Sequence, residues 1–299
     1  MKNLLSIQAL SAEEMVHIVG LGARLRKDRT ASPQLLNGQC WALIFNKSST
    51  RTRVSFEVGI RELGGSVMFL SGADTQLGRG EPVKDTARVM GRMVHGAVIR
   101  TFAQADVEDF AIYSKLPTIN ALTDEEHPCQ ILADLQLMQE RLGGWAGRKV
   151  TFLGDGDCNV ARSWMWASER LGFELRIGAP KDFQPPQEFM AKLSTGSVTL
   201  MDDPVAAVKG ADVVYTDVWV SMGKEEESAR RLEVLSPYQI NETLMKEAAP
   251  EALVMHCLPA YRGKEITDET LERHADVIFH QAENRLHVQK GIICWMLRK

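Results

Sequence analysis

The sequence predicts an α/β fold of two domains, each an open, mainly parallel sheet flanked by helices. Three observations carry this reading. Strand-like and helix-like segments alternate nearly throughout, the signature of successive βα units. The chain has 299 residues, which suits two domains of ordinary size and leaves room for a large core. A glycine cluster near the middle, Leu142-Gly143-Gly144-Trp145-Ala146-Gly147, interrupts the pattern and marks the best boundary, after which a second alternating set begins.

The elements come in order along the chain. Ser11-Ala12-Glu13-Glu14 reads as a capping box that opens a helix running to about Arg26. An apolar strand at Trp41–Phe45 leads through a polar turn into a helix at Val54–Leu63. Next come a strand at Ser66–Leu70, a Gly-rich loop from Ser71 to Glu81 and a helix from Val83 to about Val94. A strand at Ala97–Thr101, a helix at Val107–Ser114 and a strand at Thr118–Ala121 succeed them. His127-Pro128 then breaks the chain before a helix from Ile131 to Arg141. The second half offers strands at Lys149–Leu153, Glu174–Ile177, Val198–Met201, Val213–Thr216 and Ala252–Met255, with helices between them that include Val160–Leu171 and Glu242–Glu247. The stretch from Ala282 to Leu297 reads as a helix with Ile292, Ile293, Trp295 and Met296 to bury. Loops at the C-ends of such strands are where open α/β sheets bind ligands.

Bulk properties remove several function classes. Lys and Arg number 35 against 39 Asp and Glu, a net charge of −4, so no basic excess points to nucleic acid. No apolar run is long enough to span a bilayer, and Met1-Lys2-Asn3-Leu4-Leu5 carries no signal-peptide core. Five scattered cysteines without a CxxC pair fit reduced thiols. The expectation is a cytoplasmic enzyme with neither a membrane nor a nucleic-acid partner.

Chemistry concentrates just past the strands. Ser49-Thr50-Arg51-Thr52-Arg53 packs three hydroxyls and two arginines between a strand and a helix. The first N–H groups of a helix lack internal partners, and together with the helix dipole they favour an anion. Arg51 and Arg53 add charge, and a guanidinium can hold a phosphate by paired bonds. An ordinary N-cap beside a solvated arginine explains one hydroxyl and one arginine, not this density. Arg100 ends a strand, where burial demands a partner or an anion. His127-Pro128-Cys129-Gln130 supplies an imidazole and an amide before a helix, although a lone loop histidine is more often structural. Gly154-Asp155-Gly156-Asp157-Cys158-Asn159 looks like a dinucleotide fingerprint, but Asn159 replaces its third glycine. It reads as a tight turn presenting Asn159. Asp217-Val218-Trp219-Val220-Ser221-Met222-Gly223 offers a carboxylate, a hydroxyl and open backbone suited to a zwitterion. Its plainer reading is an Asx-type loop start. His256 and Cys257 are sequence neighbours whose side chains should diverge, which argues against a Cys–His nucleophile pair. No Cys/His cluster has metal-ligand spacing, so neither a metal nor a cofactor is expected. Arg285 stands near the start of the final helix. One half of the chain thus collects anion binders, and the other collects groups for an amino acid.

With these residues in order along nearly the whole chain, the sequence resembles the aspartate/ornithine carbamoyltransferase family. Ser49–Arg53 and His127–Gln130 are similar to its two carbamoyl-phosphate signatures. Asp217–Gly223 and His256-Cys257-Leu258-Pro259 are similar to the motifs of its ornithine-type members. The resemblance implies a carbamoyl-phosphate domain over residues 1–142, an ornithine domain over 143–281, and a C-terminal helix over 282–299 that packs back on the first domain. It implies transfer of the carbamoyl group from carbamoyl phosphate to the δ-amine of L-ornithine, giving L-citrulline and phosphate, in arginine metabolism.

The resemblance also implies roles. Ser49, Thr50, Arg51 and Thr52 would bind the phosphate, helped by Gln76. Thr52, Arg100 and His127 would polarise the carbonyl. Gln130, Arg285 and the main chain of Cys257 and Leu258 would orient the carbamoyl NH₂. Asn159 and the Met222 N–H would hold the ornithine carboxylate, Asp217 and Ser221 its ammonium, and the Cys257 thiol would lie near the δ-amine without acting as a covalent nucleophile. Arg100, His127, Cys257 and Arg285 would be the catalytic set. A homotrimer is implied, because the loop carrying Gln76 reaches a neighbouring subunit's site in this family, and trimers could assemble further. Rival readings are a carbamoyltransferase for a modified ornithine or another diamine, an NAD-binding oxidoreductase resting on Gly154-Asp155-Gly156, and an inactive binding member.

Overall fold

The computed structural model describes residues 2–72, 80–220 and 225–297. The chain forms two compact units, Met1–Gln136 with Glu283–Lys299, and Leu137–Ala282.

In the first unit four parallel strands, β1 (Cys40–Phe45), β2 (Ser66–Ser71), β3 (Gly96–Arg100) and β4 (Thr118–Leu122), lie in the order β2-β1-β3-β4. Five of the six residues of β1, Cys-Trp-Ala-Leu-Ile-Phe, are buried, as a parallel strand covered on both faces requires. The chain winds from β1 outward to β2 and then crosses to β3 on the other side. The order therefore reverses between β1 and β3, and the crevice beyond their C-ends is the place where open α/β sheets take ligands. Phe45 pairs with Arg100 there, so the turn leaving β1 emerges beside Arg100.

The helix after β1 begins earlier than the sequence reading placed it. It runs Thr50–Glu62, with Ser49 as the N-cap, so Thr50, Arg51 and Thr52 occupy its first turn rather than a preceding loop. The Ser49 side chain accepts the Thr52 N–H at 3.3 Å, which stops the helix from starting later. The first helix, Ala12–Lys27, is opened by Ser11 and Glu14 in a complete capping box, as expected.

The final helix also starts early, at Ala275 rather than Ala282. From Glu283 onward it belongs to the first unit. Gly291 is buried against the first helix. A Cβ added there would lie 2.9 Å from both the Gly22 nitrogen and the Ile18 oxygen, so glycine sets how closely the two backbones approach. Lys290, fully buried, is held by Glu62 at 2.6 Å and Ser32 at 3.1 Å.

In the second unit β5 (Lys149–Leu153), β6 (Glu174–Gly178), β7 (Val198–Met201), β8 (Val213–Thr216) and β9 (Leu253–His256) form a parallel sheet in the order β7-β6-β5-β8-β9. The order reverses between β5 and β8. An aromatic group fills the core beside them. Phe152 stacks on Tyr215 at 5.7 Å, and Trp164 meets Tyr215 and Phe173 edge-on at 5.5 and 5.8 Å. Two helices absent from the sequence reading, Ser228–Leu235 and Asp268–Arg273, are short and charge-rich, which hides their periodicity. Among the described residues no helix is long and apolar enough to cross a membrane. None of the five cysteines is in a disulfide.

Candidate active site

Each unit carries one group of the residues singled out in the sequence, and each group sits at its sheet's reversal point.

In the first unit Ser49, Thr50, Arg51 and Thr52 open the Thr50–Glu62 helix beyond β1. Arg51 is exposed and Thr52 is buried. Arg53 faces elsewhere. Its guanidinium lies 3.8 Å over the Phe69 ring and 3.6 Å from Glu57, the ordinary fate of a helix-face arginine. Arg285, from the final helix, spreads its fork over two partners. Nη2 donates to Thr52 Oγ1 at 2.6 Å and Nη1 to Gln130 Oε1 at 3.0 Å. Gln130 in turn donates to Asp134 Oδ1 at 2.8 Å, so its carbonyl oxygen is fixed toward the arginine. Because Thr52 accepts from the guanidinium, its own hydroxyl hydrogen is what it can give a ligand.

His127 precedes the Pro128–Leu142 helix, and its carbonyl accepts from Gln130 N at 3.1 Å. Burial, and then the charges of Arg285 and Arg100, hold its imidazole well below the usual range, so the ring is neutral at pH 7. Arg100, buried at the end of β3, lies close enough to contribute to that shift. The first unit thus brings the buried Arg100 and Arg285 guanidinium groups, the neutral His127 imidazole and the Thr52 hydroxyl together near a helix N-terminus whose cap and first turn also carry Ser49, Thr50 and Arg51. Such a set can neutralise a phosphoryl group and direct donors at an oxygen beside it.

In the second unit the turn after β5 carries Asn159 at the first position of the Asn159–Leu171 helix, with Cys158 as N-cap. The turn after β8 carries Asp217. Asp217 Oδ1 accepts from Val218 N at 2.7 Å and from the Cys257 thiol at 2.8 Å. Burial raises its carboxyl above the ordinary range, opposed by His256 and by the Cys257 hydrogen bond. His256 and Cys257 do diverge. The ring Nδ1 of His256 accepts from Leu258 N at 2.9 Å, and Nε2 faces Glu265 Oε1 at 3.2 Å. The ring proton therefore sits on Nε2, toward Glu265. Glu265 also accepts Tyr261 N at 2.5 Å, so the pair clamps both ends of the turn that begins at Leu258. Leu258 itself has φ +58, a conformation rare for a side-chain-bearing residue.

Sequence spacing hid one cluster. The ligand atoms of Asp217, His256 and Cys257 lie within 4.8 Å of one another, although Asp217 is 40 positions from Cys257. The thiol, the carboxylate and both ring nitrogens already make the bonds described above.

Gln76, Ser221 and Met222 lie outside the described residues. Arg231 was missed in the sequence. It is buried and bonded to both Asp155 and Trp219. The one local signal is Glu227, a potential partner four residues earlier.

The comparisons with known proteins match this division. Residues 2–140 match the model of the aspartate/ornithine carbamoyltransferase carbamoyl-P binding domain, and residues 146–296 match that family's Asp/Orn binding domain. Two α/β units that match these two domains are the halves of a carbamoyltransferase of this class. The chain belongs to the aspartate/ornithine carbamoyltransferase family. It is 58% identical to an ornithine carbamoyltransferase of Akkermansia muciniphila over 98% of this chain and 97% of that one. Among solved structures it is similar to the anabolic ornithine carbamoyltransferase of Campylobacter jejuni, with 43% identity, a TM-score of 0.93 and 99% of each chain covered. It is also similar to the ornithine carbamoyltransferase of Pyrococcus furiosus, with 43% identity, a TM-score of 0.92, and 98% of this chain and 96% of that one covered.

Proposed function

We propose that the chain transfers the carbamoyl group of carbamoyl phosphate to the δ-amine of L-ornithine, giving L-citrulline and phosphate. The observation that carries this is the Arg285 fork, which bonds Thr52 and Gln130 beside a neutral His127. Ornithine as acceptor is supported by the relatives' names and by the Asp217–Cys257 pair.

The chemistry rests on the residues present. Ser49, Thr50, Arg51 and the first N–H groups of their helix take the phosphate. Thr52, Arg100 and neutral His127 give hydrogen bonds to the carbonyl oxygen, which gains negative charge as the amine attacks. Preorganised donors of this kind contribute about 2.7–4 kcal/mol each. Gln130 and Arg285 orient the carbamoyl NH₂, so that little orientational freedom is left to lose at the transition state. Asn159 binds the acceptor's carboxylate, Asp217 binds its α-ammonium, and the Cys257 thiol stands near the δ-amine. The new C–N bond forms as the C–O bond to phosphate breaks, and the amine's surplus proton passes to the departing phosphate, which is released as HPO₄²⁻.

A biosynthetic role in arginine metabolism, a cytoplasmic location and a homotrimeric assembly belong to the same proposal, with sedimentation as the test of the last. The reaction is tested by citrulline formation with L-ornithine against N-acetylornithine, N-succinylornithine and putrescine as acceptors. Turnover of another amine with none of ornithine would overturn the reading.

A further inference from the structure

Arg231 is the least expected charged residue in the second unit. It lies on the Ser228–Leu235 helix and is 3% exposed. Its guanidinium joins three places. Nε donates to the Trp219 carbonyl at 2.6 Å, Nη2 to the buried Asp155 carboxylate, and Nη1 to Glu227 at 3.3 Å. The Phe183 ring lies 4.9 Å beneath it.

The partners explain the placement. Asp155 belongs to the turn after β5, four residues before Asn159, and its other oxygen accepts the Asp157 N–H at 3.2 Å. Trp219 belongs to the turn after β8, two residues after Asp217. The guanidinium therefore spans the two turns at the sheet's reversal point. Other contacts knit the same turns. Thr216 Oγ1 donates to the Leu153 carbonyl at 2.9 Å. Gly154, at φ +117, comes so near Trp219 that a Cβ would lie 3.1 Å from the indole nitrogen. Buried ion pairs are poor sources of stability, and apolar groups of similar size often serve as well or better. A fork fixed at three points instead supplies geometry, since its planar donors permit little play.

We infer that Arg231 is a positioning residue for acceptor binding, which sets the spacing between Asn159 and Asp217 through Asp155 and the Trp219 carbonyl. This rests on the proposed reaction only in naming the acceptor as an amino acid held by those two residues.

The single change Arg231→Met strands the Asp155 charge and is expected to lower stability, so the decisive variant is Arg231→Met with Asp155→Asn. It removes the fork and the buried charge together and keeps an acceptor for the Asp157 N–H. The expected result is a folded protein with a thermal midpoint near that of the wild type, KM for ornithine raised about tenfold or more, and KM for carbamoyl phosphate within about twofold. Amide hydrogen exchange is read in the same samples and is expected to quicken in peptides covering residues 154–159 and 217–220, with β5 and β8 unchanged. A purely structural role predicts restored stability with an unshifted acceptor KM, and that result overturns the inference. So does unchanged exchange in both turns. If the wild-type protein forms no citrulline, the proposed reaction fails, and the exchange measurement alone then decides the role of Arg231.

Discussion

Arg285 Nη2 donates to Thr52 Oγ1 at 2.6 Å, joining residues 233 positions apart in sequence. The bond ties the final helix to the first turn of the helix after β1, and it turns the Thr52 hydroxyl into a directed donor. Thr52→Val keeps the side-chain shape and removes that donor. It is expected to lower kcat by roughly 10²–10³-fold, the usual effect of losing one oxyanion donor, with the fold intact. Steady-state citrulline formation beside circular dichroism checks it; kcat within threefold of wild type would show that Thr52 gives nothing to the carbonyl.

The Asp217–Cys257 pair predicts a division of labour. Asp217 is the group proposed to face the acceptor's α-ammonium, so Asp217→Asn should raise KM for ornithine by about 30-fold or more, a change of at least about 2 kcal/mol for a half-buried charge contact. Cys257→Ser should keep measurable turnover, because the thiol donates to the Asp217 carboxylate and a serine hydroxyl can donate in the same way. Intact-mass spectrometry during turnover is expected to show no carbamoylated or acylated enzyme; a covalent adduct on Cys257 would sink this reading.

Glu126, beside His127, predicts a pH effect on stability. Its carboxylate accepts the Ile7 N–H at 2.6 Å, yet burial raises its pKa from 4.5 to about 7. Between those values the folded chain keeps a proton that the unfolded chain has lost. The contribution is therefore fully present below pH 4.5 and disappears as pH rises through about 7. Its size is at most roughly 3 kcal/mol. His127 acts with the opposite sign, since its lowered pKa removes stability as pH falls below 6.5. Urea unfolding of wild type and Glu126→Gln at pH 5 and pH 8 isolates the carboxyl: the wild type should lose ground to the variant at the higher pH. Parallel pH profiles would exclude it.

Two glycines predict opposite outcomes. Gly291→Ala places a methyl 2.9 Å from backbone atoms of the first helix and is expected to destabilise by about 1–3 kcal/mol. Gly20→Ala, on that same helix, meets only the Arg24 side chain at 3.8 Å, and should stabilise by up to about 1 kcal/mol. Thermal melts of both variants check the contrast, and an unaltered midpoint for Gly291→Ala would show that the helix crossing relaxes freely.

Much of the fold was legible because it is local. The apolar runs of β1, β3, β5 and β8 are short, continuous and set off by glycine and proline, as buried parallel strands must be. The Ser11 capping box needs only four residues to recognise. Helix starts read less well. Ser49 opens its helix four residues ahead of the apolar pattern, since a cap bond and not hydrophobic spacing decides where the helix begins. The Ser228–Leu235 helix, with two arginines and a glutamate in eight residues, has too little apolar periodicity to stand out.

For the candidate site, the sequence alone determined the types of group available: hydroxyls and arginines after one strand, a histidine and an amide after another, a carboxylate and a thiol in the second half. It also determined that each comes after a strand, because strand ends are marked by local composition. Only the tertiary structure decided who meets whom. Strand order brings Phe45 beside Arg100 and the β5 turn beside the β8 turn. Burial of the final helix delivers Arg285 to Thr52, and the Arg231 fork finds Asp155 from 76 positions away. The physical reason is that these pairings are chosen by which apolar faces bury one another across the chain, and no periodicity of a local segment records that choice.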